Sequence, residues 1–172
     1  MSEGIDLPPV PRGTLLPEDA RVARLERALP QILAVTDGET DAVAIQATLA
    51  SLLWQAFPQA SWCGFYRRTA HGLLTVGPYQ GPMGCLRIPF ERGVCGACAR
   101  TAETQLVEDV TRFPDHIACD DAARSELVVP VIARGEVQAV LDLDSHLLAA
   151  FSRREAEWLE AFLPKAFASA IF

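Results

Sequence analysis

A chain of 172 residues, half of them hydrophobic, is large enough to bury a single-domain core without covalent or metal staples. Its formal net charge of −7 excludes a ligand recognised through a phosphate backbone, because nucleic acid calls for a basic face. No apolar run is long enough to span a bilayer, and the N-terminus (MSEGIDLPPVPRG) lacks the basic-then-apolar pattern of a signal peptide, so no membrane partner is expected and the cytoplasm is the expected location.

In chain order, residues 1–17 carry Pro8, Pro9, Pro11 and Pro17 and read as an extended N-terminal arm, leaving 18–172 as the folded domain. From Glu18 to about Val35, the apolar set Val22, Leu25, Leu29, Ile32 and Leu33 follows helical spacing, and Pro30 predicts a kink or a break. A turn at Thr36-Asp37-Gly38 precedes a second helix over about Asp41 to Ala56, with Thr40 as its expected N-cap. Ser61 to Tyr66 reads as a strand whose alternation puts Trp62, Gly64 and Tyr66 on one face and Cys63 and Phe65 on the other. His71-Gly72 turns the chain into a returning strand, Leu73 to Val76. The run from Gly77 to Gly84 is rich enough in Gly and Pro to predict a loop, followed by a short strand from Leu86 to Phe90.

Gly93 to Ala102 predicts a short helix with Cys95 in its first turn, where the helix dipole favours a thiolate. After a short strand at Gln105 to Val107, the stretch from Glu108 to Arg124 has no sustained periodicity and reads as a functional loop. Ser125 to Ala133 and Glu136 to Asp144 form the clearest hairpin, around Arg134-Gly135. Ser152 and Glu155 make a capping box that opens a last helix with Trp158, Leu159, Phe162 and Leu163 on its apolar side. Helix, strand meander and helix together predict an α+β domain, an antiparallel β-sheet flanked by α-helices.

Five cysteines are an odd count in a compartment that keeps thiols reduced, so catalysis or metal binding is the leading use for them. Cys95-Gly-Ala-Cys98 has the CxxC spacing, but no strand–helix–strand context of a thioredoxin-like pair and no second ligand pair for a structural zinc. Cys98 and Cys63 therefore read as small core residues. Cys119 lies in a polar loop with His116 nearby, which favours a thiolate, while Asp115, Asp120 and Asp121 oppose one if they face the sulfur. Asp142 and Asp144 share one strand face. A two-residue hairpin loop places Glu126 opposite Leu143, away from both; a three-residue loop places it opposite Asp144. If the three carboxylates converge, mutual repulsion raises at least one pKa, giving an acid for a leaving oxygen and a receptor for an ammonium group.

The segments SWCGFY (61–66), GPYQGPMGCLRIPFERGVCG (77–96), VEDVTRFPDHIACDDAARSELVVPV (107–131) and VLDLDS (140–145) resemble the free methionine-(R)-sulfoxide reductases, which are single GAF-type domains. The resemblance covers roughly Pro17 to the C-terminus. It implies a GAF-like catalytic domain with redox cysteines at Cys85, Cys95 and Cys119, acids for the sulfoxide and the ammonium group at Glu126, Asp142 and Asp144, and an aromatic wall at Trp62 and Tyr66. It further implies that Cys119 attacks the sulfoxide sulfur with Glu126 assisting the oxygen. The resulting sulfenic acid condenses with Cys85, Cys95 being an alternative resolver or relay, and thioredoxin fed by NADPH reduces the disulfide. No metal or bound cofactor is implied, and a homodimer is expected by analogy with GAF domains. This sequence departs from the family pattern in having Cys63 in place of a small residue, Tyr79 where Phe is frequent, and Asp115 where Gly is frequent. The alternatives are a GAF module that senses a small ligand, or a thiol redox sensor, neither turning over a substrate.

Overall fold

The computed structural model describes residues 5–117 and 119–172. Its element order is α1 (Glu18–Thr36), α2 (Ala42–Ala56), β1 (Trp62–Ala70), β2 (Leu73–Gln80), β3 (Arg87–Pro89), α3 (Gly93–Thr101), β4 (Gln105–Val107), β5 (Ser125–Ala133), β6 (Glu136–Ser145) and α4 (Arg153–Ala166), with a single 3-10 turn at Val110–Arg112. The strands form one antiparallel sheet in the order β3-β2-β1-β6-β5-β4. This is the α+β architecture predicted from the order of elements.

Strand alternation divides the core into two layers. Cys63, Phe65, Leu127, Val129, Leu141 and Leu143 face α1, α2 and α4, while Trp62, Tyr66, Val128 and Val140 face α3 and the loops around it. The first layer is the larger hydrophobic body and fixes the sheet; the second, thinner layer holds the cavity described below. α4 opens on the predicted capping box, in which Ser152 accepts from the Glu155 N–H and Glu155 accepts from the Ser152 N–H. Glu155 also receives Arg21 Nε at 3.0 Å and Gln59 Nε2 at 2.8 Å, and Ser145 Oγ donates to the Gln59 carbonyl. This buried network ties α1 and α4 to the end of β6, next to Asp144.

Several local expectations are corrected. α1 runs through Pro30 without a break, because the buried face of Leu25, Ala28 and Ile32 holds it against the core despite the lost N–H. The N-cap of α2 is Asp41, whose carboxylate accepts from the N–H groups of Val43 and Ala44, and not Thr40. β2 extends through Gly77-Pro78-Tyr79-Gln80, where a loop was predicted, pairing Tyr79 with Gly64 and Gln80 with Cys63. Gly64 makes this approach possible: a Cβ there would lie 2.2 Å from Tyr79 Cβ. Pro78 is tolerated because β3 covers only Leu73 to Thr75 of β2.

The hairpin register has a mixed outcome. The loop has two residues, Arg134 and Gly135, both at positive φ (55° and 78°) as a tight primed turn requires. On that count Glu126 should oppose Leu143. A bulge intervenes: Ile132 pairs with Val137 but Val131 pairs with Ala139, leaving Gln138 as an extra residue. The register then moves by one, and Glu126 lies opposite Asp144.

From the N-terminal stretch, Ile5 and Leu7 pack against the first layer. Ile5 is buried, and Arg12 lies 3.6 Å over the Trp54 ring while donating to the carbonyls of Phe57 and Trp54. No helix among the described residues is long and apolar enough to cross a membrane.

Candidate active site

Five neighbouring positions on one sheet face build the floor of the site. β1 and β6 pair Trp62 with Asp144, Gly64 with Asp142 and Tyr66 with Val140, and β5 adds Glu126 opposite Asp144. Residues directly opposite one another across an antiparallel pair share a face, so the three acids and the two aromatics converge. α3 crosses above and brings Cys95, while the 108–124 loop brings His116, Cys119 and Asp120. The three acids, the two aromatics, Cys95, His116, Cys119 and Asp120 all line one cavity open to solvent.

The aromatic wall is fixed by its own contacts. Trp62 stacks on Tyr66 at 5.5 Å and on Tyr79 at 5.1 Å between ring centroids, and its indole N–H donates to the Pro82 carbonyl. Gly84 completes the wall, since a Cβ there would come within 2.9 Å of the Tyr66 hydroxyl. Pro82 and Gly84 were read only as part of a loop, and Tyr79 as a loop residue standing where Phe is frequent; their place beside Trp62 and Tyr66 follows from β2 continuing past Val76.

The acid cluster is starved of cations. Glu126 and Asp142 are 6% and 4% exposed, and among the described residues the group paired with any of the three is His116, whose Nε2 stands 3.7 Å from Glu126 Oε2. Burial pushes the Glu126, Asp142 and Asp144 carboxyls well above the usual range, and repulsion among them adds to it: Asp144 acts on Glu126, Glu126 on Asp142, and Asp142 on Asp144. Asp142 Oδ1 is buried without a hydrogen-bond partner. A pocket of this kind retains at least one proton and has an open position for a cation.

The cysteines separate into three environments. Cys85 and Cys119 are joined by a disulfide, with Cα atoms 5.2 Å apart, that ties the β2–β3 loop to the 108–124 loop at the cavity mouth. Cys63 and Cys98 are buried free thiols, each pushed far up by burial, in keeping with core positions. Cys95 departs from expectation. It lies in the first turn of α3 but is 3% exposed, and burial followed by the charges of Asp142 and Glu126 raises its pKa, so it is a thiol and not the thiolate a helix N-terminus would favour. Its Sγ points at Glu126 Oε1, 3.9 Å away.

His116 was considered as a partner for Cys119; its ring nitrogen is instead turned to Glu126. Burial lowers its pKa, which favours the neutral imidazole beside the acid cluster. Asp120, next to the disulfide, is held by His146 Nε2 at 2.7 Å and by the Ala122 N–H, which lower its pKa. Its charge is therefore satisfied outside the acid cluster. Asp115 sits at φ 54°, a left-handed conformation that a glycine adopts at less cost, and its carbonyl accepts from the N–H of Gly93.

Comparison with known proteins agrees with this geometry. The GAF domain model matches residues 41–166. The chain is 38% identical over 143 residues to the free methionine-R-sulfoxide reductase of Saccharomyces cerevisiae, covering 79% of each chain. It is 38% identical over 126 residues to the Escherichia coli protein of that name, covering 73% of this chain and 76% of that one. Among solved structures, the free methionine-R-sulfoxide reductase from Neisseria meningitidis in complex with its substrate aligns with a TM-score of 0.83 at 38% identity, over 93% of this chain and 94% of that one.

Proposed function

Because this chain belongs to the GAF-domain family, and within it to the free methionine-R-sulfoxide reductases, we propose that it reduces free L-methionine (R)-S-oxide to L-methionine by thiol chemistry at the cavity walled by Trp62 and Tyr66. The observation that carries the proposal is the convergence of the Cys119 sulfur, already bonded to Cys85, with three cation-starved acids on one cavity.

The roles follow from chemistry. Trp62 and Tyr66 enclose the methylthio end, and Asp142 and Asp144 hold the α-ammonium group in place of the missing cation. In the reduced protein the Cys119 thiolate attacks the sulfoxide sulfur while the protonated carboxyl of Glu126 delivers its proton to the oxygen. The adduct so formed carries the oxygen on the substrate sulfur; as its S–O and new S–S bonds break, the hydroxyl passes to Cys119, methionine departs with the electron pair, and Cys119 is left as a sulfenic acid. The Cys85 thiolate then attacks that sulfur, hydroxide leaves with a proton as water, and the Cys85–Cys119 disulfide results. Two electrons have passed from two thiols to one sulfoxide. A dithiol such as thioredoxin, kept reduced by NADPH in the cytoplasm, restores the pair by exchange. Cys95 is buried and protonated, which suits a proton relay to Glu126 better than an early attack on the sulfenic acid. A homodimer through the terminal helices belongs to the same reading and is checked by light scattering.

The test is a coupled assay with thioredoxin, its reductase and NADPH. Free methionine (R)-sulfoxide should drive NADPH consumption, the S epimer should not, and Cys119→Ser should abolish it. Binding without consumption would make the protein a ligand-sensing GAF module instead; oxidation of the Cys85–Cys119 pair by peroxide alone, without turnover of either epimer, would make it a redox sensor.

A further inference from the structure

We infer that the acid pocket is also a binding site for a thiophilic divalent cation, of which Zn²⁺ is the physiological example, with Cys95, Glu126 and Asp142 as its ligands. The donor atoms of these three side chains lie within 4.8 Å of one another, and all three residues are buried. A tetrahedral zinc holds its donors about 3.3–3.8 Å apart, and Cys95 Sγ already stands 3.9 Å from Glu126 Oε1. Independently of the cluster, Asp142 is 4% exposed and its Oδ1 has no hydrogen-bond partner, so one oxygen directed into the pocket is free to bind. His116, with Nε2 3.7 Å from Glu126 Oε2, stands at the edge of this set and is not one of its converging donors. One sulfur and two carboxylates make a donor set for a thiophilic cation, with the fourth tetrahedral position open to water; magnesium and calcium, which take oxygen, are disfavoured by the thiol.

Binding requires Cys95 and the carboxyls to release the protons they hold in the empty pocket, so cation uptake acidifies the medium and weakens as pH falls. The cation would occupy the volume assigned above to the substrate's ammonium group. In this respect the inference rests on the reductase reading, and it predicts that free zinc inhibits the enzyme reversibly in competition with substrate. The binding itself does not depend on that reading.

The experiment titrates the oxidised protein with Cd²⁺, a zinc surrogate whose bond to a thiolate gives an ultraviolet charge-transfer band. In this form Cys85 and Cys119 are bonded and cannot contribute. One equivalent should bind with the band present. Cys95→Ser should remove the band and weaken binding at least tenfold; Asp142→Asn should weaken binding similarly and retain the band at saturation. Mg²⁺ at the same concentration should not compete. Absence of a one-to-one complex, or a band that survives Cys95→Ser, overturns the inference. Addition of L-methionine should displace the cation; a cation that binds as described but is not displaced leaves this inference standing and removes the substrate assignment of the pocket.

Discussion

Reduction of the Cys85–Cys119 disulfide should lower the stability of the fold by an amount set by the loop it closes. The two cysteines are 34 residues apart in sequence, and between them lie β3, α3, β4 and most of the irregular 108–124 stretch. Chain-entropy reasoning gives about 3.7 kcal/mol for closing a loop of this length. In a domain of this size one kcal/mol moves the melting midpoint by about 2–4 °C, so the reduced protein should melt about 7–15 °C below the oxidised one. The assay is a calorimetric or circular-dichroism melt with and without a phosphine reductant. A Cys85→Ser variant should melt like reduced wild type in both conditions. A difference below about 2 °C, or a Cys85→Ser protein as stable as the oxidised form, would refute the reasoning, since it would mean that other contacts hold the 108–124 loop equally well in the unbridged chain.

Three further outcomes follow. Asp142→Asn should raise KM for free methionine sulfoxide by about thirtyfold or more, the loss of about 2 kcal/mol or more expected when one partner of a buried charge pair is removed, with a smaller effect on kcat in steady-state kinetics. In EDTA-treated protein without substrate, the urea midpoint should be lower at pH 8 than at pH 5: Glu126, Asp142 and Asp144 bind protons more tightly folded than unfolded, so their contribution is present below the usual carboxylate pKa and is lost as pH rises through the folded values. Glu126→Gln should flatten that slope. Gly64→Ala would place a Cβ 2.7 Å from Tyr79 Cα and 2.8 Å from the Trp62 ring, forcing β1 and β2 apart at a cost of about 1–3 kcal/mol, read from the same denaturation midpoint.

Much of this arrangement is legible in the sequence because it rests on periodicity. Alternation alone puts Trp62 with Tyr66, and Asp142 with Asp144, on their respective faces, and Ser152 with Glu155 announces α4. What escapes is whatever depends on a partner far away in the chain. Cys95 stands at a helix start, and sequence cannot say that this start is buried against acids from β5 and β6. Gly77-Pro78 reads as a break, yet pairing with β1 carries the strand through it as far as Gln80. Pro30 is outweighed by the packed face of α1. The bulge at Gln138 leaves no trace in composition, although it alone brings Glu126 to Asp144.

That extra residue imposes a parity rule on the hairpin. In a chain of this length, turn residues and bulged residues must together sum to an odd number for Glu126 and Asp144 to meet, and the pair found here is two and one. Losing Gln138 alone would take out the bulge and leave the pairs from Val131–Ala139 to Glu126–Asp144 as they are; closing the bulge at constant chain length would instead slide Glu126 opposite Leu143 and turn it toward the other layer. Loss of the bulged residue is therefore compatible with the acid pair, whereas a one-residue slide of β5 along β6 at constant length would keep the overall shape while losing the chemistry.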